Sequence, residues 1–117
     1  MADEHVLAQL WATIESRRAD ESATESYTRK LLAKPSLIRK KVAEEAYEVN
    51  EAHQARVDGK DTADHVAHEA ADLLYHLFVL LASADVSPQA VYAVLARRHA
   101  PAAAASEGEG PGEAKTP

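Results

Sequence analysis

The chain has 117 residues, a formal net charge of −6 and no cysteine. A chain of this length forms one domain with a modest core, and without cysteine it has no disulfide, thiolate metal ligand or cysteine nucleophile. The negative charge argues against binding to a nucleic-acid backbone, which requires a basic surface. The polar start of the chain is unlike a signal peptide, and we expect that no apolar stretch approaches the ~20 residues of a membrane span. We therefore expect a cytoplasmic protein with no nucleic-acid or membrane partner.

The first part of the sequence predicts two helices separated by a loop. Apolar residues recur every three or four positions between Val6 and Ile14, which predicts an amphipathic helix over about residues 4–18. The polar stretch 19–26 predicts a loop. The capping oxygens of Ser26-Tyr27-Thr28 then predict the start of a short helix, which Pro35 interrupts.

Two long helices are predicted in the middle of the chain. The first is capped by Ser36 and ends at Asp58-Gly59, a typical helix terminator. The second is capped by Asp61 or Thr62 and reaches about residue 84.

The last predicted helix opens at Ser87-Pro88, with proline in its favoured first turn, and ends at about His99. From position 101 onward the chain consists mostly of Ala, Gly, Pro and Glu, which predicts a disordered tail over residues 101–117. No strand pattern occurs. The sequence therefore predicts an all-α fold, a bundle of four to five helices, with one domain over residues 1–100.

Each of the two long helices carries a short acidic cluster. These are Glu44-Glu45-Ala46-Tyr47-Glu48 and Glu69-Ala70-Ala71-Asp72. Carboxylates three or four residues apart share one helix face. At about 100° per residue, Glu45 and Glu69 also lie on the apolar stripes of their helices. Their neighbours on those stripes are Ile38, Val42 and Val49 for the first, and Val66, Leu73 and Leu80 for the second.

Two interpretations of these acidic residues compete. Charged residues on a helix usually form a solvated face, and that interpretation fits Glu44 and Glu51 tolerably. It fits the two inward-facing carboxylates badly, because an unpaired buried carboxylate costs several kcal/mol or must be protonated. Lys41 or Arg39 could pair with one carboxylate, but hardly with four. We therefore favour a metal site, and oxygen-only ligands suit Mg²⁺ or Mn²⁺.

The pattern also argues against a redox metal. Ferritin-like di-iron centres use Glu-x-x-His pairs, whereas positions 48 and 72 of this chain are Glu and Asp. His76 follows Asp72 by one helical turn and could join a ligand set. Inside so apolar a segment, we favour a hydrogen-bonded core or interface histidine.

The segment Leu73–Leu81 is apolar on nearly all sides. One neighbouring helix cannot cover such a surface, so we expect a homodimer or a larger homo-oligomer. The alternative is burial at the centre of a monomeric bundle, which four short helices would achieve only in part.

Three stretches together resemble a known family. They are Ser26–Lys34, Lys41–Glu48 and Glu69–Leu77. The acidic pattern is similar to that of the MazG-like all-α nucleotide pyrophosphohydrolases. With the Ser-Tyr-Thr and Leu-Leu-Tyr-His sequences, the chain most resembles the phosphoribosyl-ATP pyrophosphohydrolase family of histidine biosynthesis. The resemblance implies Mg²⁺-dependent hydrolysis of the α–β phosphoanhydride of phosphoribosyl-ATP, giving phosphoribosyl-AMP and pyrophosphate, by an obligate oligomer.

The resemblance also implies roles for individual residues. The metal ligands it implies are Glu45, Glu48, Glu69 and Asp72. Glu44 is implied either as a further ligand through water or as a partner of a basic group. Phosphate-binding residues are implied at Lys30, Lys34 and Lys41. As the general base that takes a proton from water, Glu48 is the first candidate and Glu44 the second.

Two other functions remain open on the sequence. A house-cleaning pyrophosphohydrolase of ordinary or damaged nucleoside triphosphates would have the same fold and metal site. A non-catalytic helical dimer with a structural cation would use the acidic face without chemistry. Metal binding without hydrolytic activity would favour the second alternative.

Overall fold

The computed structural model describes residues 5–100, which contain helices and no strand. The predicted all-α class is confirmed. The predicted tail, residues 101–117, lies outside the described residues. The helices are α1 (Val6–Ala19), α2 (Tyr27–Leu32), α3 (Pro35–Val57), α4 (Ala63–Ser83) and α5 (Pro88–Arg98).

The chain divides into two compact units. The first ends at Val86 and contains α1 to α4, and the second begins at Ser87 and contains α5. Both acidic clusters lie in the first unit. The single domain over residues 1–100 stays a prediction.

Side-chain caps begin three of the helices as predicted. The hydroxyl oxygen of Ser26 accepts a hydrogen bond from the backbone N–H of Arg29 at the start of α2. Thr62 accepts from the N–H of His65 at the start of α4. Ser87 does the same for α5. Each cap satisfies a backbone N–H that has no partner within its helix.

The start of α3 differs from the prediction. Pro35 is the first residue of the helix rather than an interruption before it, and Ser36 does not act as the cap. Lys34 precedes the helix, and its backbone carbonyl accepts hydrogen bonds from the N–H groups of Leu37 and Ile38. Proline suits the first helical position because its φ is already helical and its missing N–H would have no partner there.

The two long helices, α3 and α4, form an antiparallel hairpin with the most extensive interhelical contact in the chain. The predicted end at Asp58-Gly59 is confirmed. Gly59 has a φ of 76°, in the left-handed region where a side chain is strained. Its N–H donates to the carbonyl of Arg56, and the N–H of Lys60 donates to that of Ala55. The tight connection places the two acidic clusters on facing helices.

The core of the first unit lies where its four helices meet. The buried apolar side chains come from each of α1 to α4 and are Ile14, Leu31, Ile38, Phe78, Val79 and Ala82. Trp11 packs edge-on against Phe78, with ring centroids 6.1 Å apart. This core lies toward one end of the α3–α4 hairpin.

Two arginines join helix ends to one another. The guanidinium of Arg18 donates to the carbonyl oxygen of Ala82 at 2.9 Å and to the carboxylate of Asp85 at 2.8 Å. The side chain of Arg29 donates to the carbonyl oxygen of Arg18 at 2.8 Å. Carbonyls at a helix C-terminus lack partners within their helix, so these side chains stabilise the ends of α1 and α4.

By length and composition alone, α4 could cross a membrane. It has 21 residues, and its most apolar 18-residue window has a mean hydropathy of 1.2, contrary to the expectation that no apolar stretch approaches the length of a membrane span. The core helix of a water-soluble protein has the same properties, and α4 contributes the buried Phe78, Val79 and Ala82 to the core. One such helix does not indicate a membrane protein.

Candidate metal centre

The facing acidic clusters line a cleft of about 510 Å³ on one side of the α3–α4 hairpin. Residues three and four apart on one helix share a face, which brings the acidic residues of each helix to the same side. The lining residues are Lys41, Ala43, Glu44, Glu45, Tyr47 and Glu48 of α3, and Glu69 and Asp72 of α4.

Three carboxylates from the two helices converge in this cleft. One oxygen each of Glu45, Glu69 and Asp72 lies within 4.8 Å of the others. The side chain of Glu45 is 14% exposed and that of Glu69 is 19% exposed, so the predicted inward orientation of both is confirmed. Asp72 is exposed. The donors are all carboxylate oxygens, which is the chemistry that a hard divalent cation prefers.

Glu48 and Glu44 line the same cleft outside this group of three. Both are exposed. Glu44 forms an ion pair with Lys41, whose ammonium nitrogen lies 3.2 Å from a carboxylate oxygen of Glu44. No ion pair or side-chain hydrogen bond between described residues involves Glu48, which leaves its carboxylate available to a water molecule or a ligand.

Lys41 is the basic side chain that lines the acidic cleft. Its ammonium nitrogen lies 3.2 Å from an oxygen of Glu44 and 3.7 Å from an oxygen of Glu45. The carboxylate of Glu44, and to a smaller degree that of Glu45, raise the pKa of Lys41. Lys41 is therefore positively charged at neutral pH and offsets part of the negative charge of the cleft.

The other two predicted phosphate-binding lysines do not line the cleft. Lys30 lies on α2, where its exposed side chain is 3.8 Å from the carboxylate of Glu25. Lys34 is exposed at the residue that precedes α3. The first unit thus brings one of the three lysines to the acidic residues.

The contacts of His65 with two carboxylates were not predicted from the sequence. His65 binds two carboxylates, with Nδ1 next to an oxygen of Asp61 and Nε2 3.1 Å from Oε2 of Glu69. The hydrogen bond to Asp61 and, to a smaller degree, the hydrogen bond to Glu69 raise the pKa of His65. The same bond with His65 lowers the pKa of Asp61. The four-residue spacing of His65 and Glu69 within α4 was the available signal, because such residues share one helix face.

His76 is a buried, hydrogen-bonded histidine, as predicted. Its Nδ1 lies 2.8 Å from the backbone carbonyl oxygen of Asp72, which can only accept, so Nδ1 carries the proton. In the neutral ring Nε2 is then an acceptor, and the hydroxyl of Tyr27 donates to it at 2.8 Å. Both ring nitrogens of His76 are occupied by these bonds, and His76 is not in the group of convergent carboxylates.

Known proteins resemble the chain over most of its length. A family model described as phosphoribosyl-ATP pyrophosphohydrolase matches residues 7–99. A phosphoribosyl-ATP pyrophosphatase of Caulobacter sp. (strain K31) is 50% identical over 93 residues, covering 80% of this chain and 81% of the relative. Proteins of the same name from Methylobacterium radiotolerans and Trichlorobacter lovleyi are 46% and 44% identical, covering 82% and 83% of this chain and 85% of each relative. No solved structure matches the chain.

Proposed function

Because the chain belongs to the phosphoribosyl-ATP pyrophosphohydrolase family, we propose that the acidic cleft is its active site and that Mg²⁺ is its cofactor. The activity is hydrolysis of phosphoribosyl-ATP to phosphoribosyl-AMP and pyrophosphate in histidine biosynthesis. The convergence of three carboxylates from α3 and α4 is the observation that supports this placement.

The residues present fit a hard divalent cation. The carboxylates of Glu45 and Glu69 are largely buried, and each has one basic neighbour, Lys41 and His65. With Asp72 they bring three carboxylates into one small space, whose negative charge a divalent cation would offset. Together with Asp72 they offer only oxygen donors, which suit Mg²⁺, with Mn²⁺ as an alternative. We assign these three residues to holding the cation, and Glu48, which lines the same cleft, is our candidate for a fourth ligand.

The order of binding follows from charge. A triphosphate chain carries several negative charges toward a cleft lined by five carboxylates and one lysine. The cation must therefore enter before the substrate or with it. When bound, Mg²⁺ would offset the charge of the phosphate oxygens and of the departing pyrophosphate and would help to orient the attacking water.

Within the cleft, Glu48 is our first candidate for the general base. It is exposed, and among the described residues no basic side chain pairs with it, so its carboxylate can accept a proton from the attacking water. Glu44 is the second candidate, because its carboxylate is already engaged in an ion pair with Lys41. No step requires a serine, threonine or cysteine nucleophile.

Lys41 is our candidate for contact with the substrate's phosphates. Its ammonium group lies inside the cleft beside the proposed ligands, and a small point charge of this kind suits a phosphate oxygen. We also propose phosphate contacts for Lys30 and Lys34. Both are exposed, and they would have to reach a substrate that extends beyond the cleft or a cleft on a second copy of the chain.

A homodimer would cover the apolar surface that the monomer leaves open. Leu74 of α4 is 41% exposed and Tyr47 at the cleft is 62% exposed. Only 22% of the most apolar window of α4 is buried within the chain. We propose that a second copy packs on this surface, that the enzyme works in the cytoplasm, and that it binds neither nucleic acid nor membrane.

Pyrophosphate release measured on a panel of substrates tests the proposal. The unaltered chain is incubated with phosphoribosyl-ATP and with ordinary nucleoside triphosphates, each with Mg²⁺ or with EDTA. We expect release from phosphoribosyl-ATP that requires Mg²⁺. Release that persists in EDTA would contradict the metal centre, and faster release from the ordinary triphosphates would contradict the substrate.

A further inference from the structure

We propose that His65 is a positioning residue, which holds the carboxylate of Glu69 toward Glu45 and Asp72 by a hydrogen bond from Nε2. The inference rests on the proposed metal centre. It adds to that centre two residues outside the cleft lining, Asp61 and His65, which form a hydrogen-bonded chain with Glu69.

The chain of hydrogen bonds begins at Asp61, just before the residue that caps α4. Oδ1 of Asp61 accepts from the backbone N–H of Thr62 at 2.7 Å, which fixes the orientation of the carboxylate. Its other oxygen, Oδ2, accepts from Nδ1 of His65. Asp61 thus orients the imidazole ring of His65, and the backbone N–H of Thr62 orients Asp61.

The far side of the imidazole ring faces the metal centre. Nε2 of His65 lies 3.1 Å from Oε2 of Glu69. This bond occupies one oxygen of the carboxylate and leaves Oε1 free of hydrogen-bond partners among the described residues. A glutamate side chain otherwise samples several rotamers, which must be ordered when it binds a cation. His65 orders the side chain beforehand.

The neighbouring His68 provides a comparison on the same helix. Like His65, it pairs with an aspartate one turn earlier, with Nδ1 3.4 Å from the carboxylate of Asp64. Unlike His65, it makes no hydrogen bond to Glu45, Glu69 or Asp72 among the described residues. Removing His68 therefore removes a similar surface pair, and a charge that interacts with Asp72, without removing a hydrogen bond to a proposed ligand.

Conservative variants separate the two contacts of His65. The amide nitrogen of glutamine reaches about as far as Nε2, whereas that of asparagine reaches about as far as Nδ1. His65→Gln can therefore still donate to Glu69. His65→Asn can still donate to Asp61 but not to Glu69, and His65→Ala can donate to neither. His68→Ala is the matched control.

Calorimetric titration of Mn²⁺ into each full-length protein, without substrate, tests the inference. Partners that orient a metal ligand typically change affinity by about 10–100-fold. We expect His65→Ala and His65→Asn to weaken Mn²⁺ binding by about 10-fold or more, and His65→Gln and His68→Ala by less than about 3-fold. Thermal unfolding in EDTA accompanies each titration.

Several results would overturn the inference. Unchanged Mn²⁺ affinity in His65→Ala, with or without a lower unfolding temperature, would make the contact merely structural. An equal loss in His65→Gln or in His68→Ala would mean that the hydrogen bond to Glu69 is not the cause. Absence of Mn²⁺ binding by the unaltered chain would overturn the metal centre and the inference together. Mn²⁺ binding whose affinity is the same in all His65 variants would overturn the inference alone.

Discussion

Glu45 on α3 and Glu69 on α4 each present a carboxylate oxygen to the same small space, within 4.8 Å of one another. The two residues are far apart in the sequence, and the antiparallel α3–α4 hairpin brings them together. Each also has one basic neighbour, Lys41 for Glu45 and His65 for Glu69. These two carboxylates therefore each have a partner before any cation or substrate binds.

The two candidates for the general base can be separated by substitution. Glu48→Gln is expected to lower kcat by about 10²–10⁴-fold, because general-base catalysis typically contributes that much. Glu44→Gln is expected to lower it much less, since the carboxylate of Glu44 is already paired with Lys41. Steady-state kinetics at saturating Mg²⁺ gives both values.

Mn²⁺ titration of the same two proteins supplies the control for the general-base comparison. Unchanged Mn²⁺ affinity in Glu48→Gln would identify a base rather than a ligand. A larger loss of kcat in Glu44→Gln than in Glu48→Gln would reverse the assignment.

The core where the four helices meet should dominate stability. Ile38 is fully buried, so Ile38→Ala is expected to lower the free energy of unfolding by about 2–4 kcal/mol. Val57→Ala on the same helix, where the side chain is 65% exposed, should change it by less than about 0.5 kcal/mol. Urea unfolding at fixed protein concentration, followed by the fluorescence of the single tryptophan, Trp11, measures both. Similar midpoints for the two variants would contradict this account of the core.

The hydrogen bond between Tyr27 and His76 should also stabilise the fold. Tyr27→Phe leaves the buried Nε2 of His76 without a donor, and we expect a loss of about 1–2 kcal/mol in the free energy of unfolding. Tyr47→Phe is the matched control for stability, because that hydroxyl has no hydrogen-bond partner among the described residues. An equal effect of the two substitutions would show that the bond to His76 contributes nothing.

Tyr75 should make stability sensitive to alkaline pH. Burial raises the pKa of Tyr75 above its ordinary value of about 10, although the hydrogen bond with Thr28 acts in the opposite direction. The folded chain therefore holds this proton more tightly than the unfolded chain. Its contribution to stability is complete below about pH 10 and is lost as the pH rises through the folded-state value.

Unfolding free energies measured from about pH 9 to about pH 11.5 check this dependence. The unaltered chain should lose stability more steeply than Tyr75→Phe. Equal slopes for the two proteins would contradict the assignment.

The local features of the fold were predictable because they depend on neighbours in the sequence. Ser26, Thr62 and Ser87 lie directly before apolar helical patterns, and each caps a helix. The predicted start of α3 was wrong because Pro35 can either end a helix or begin one. The choice depends on the geometry of the preceding turn, which the carbonyl of Lys34 completes.

The acidic residues of the candidate site were predictable, but its basic residues were less so. The helical wheel predicted that Glu45 and Glu69 face inward, because an apolar stripe marks the buried side of a helix. The contact of His65 with Asp61 depends on how the chain enters α4, which periodicity does not describe. The distance of Lys30 from the cleft depends on how α2 packs against its neighbours, which no sequence pattern specifies.

The most direct test of the metal-dependent active site is pyrophosphate release from phosphoribosyl-ATP by Glu45→Gln and Asp72→Asn with Mg²⁺. Glu51→Gln is the control, because Glu51 is an exposed residue on the same helix as Glu45. Circular dichroism verifies the helical fold of each protein. We predict that both ligand variants lose turnover while Glu51→Gln keeps it. Near-normal release by either Glu45→Gln or Asp72→Asn would contradict the proposed active site.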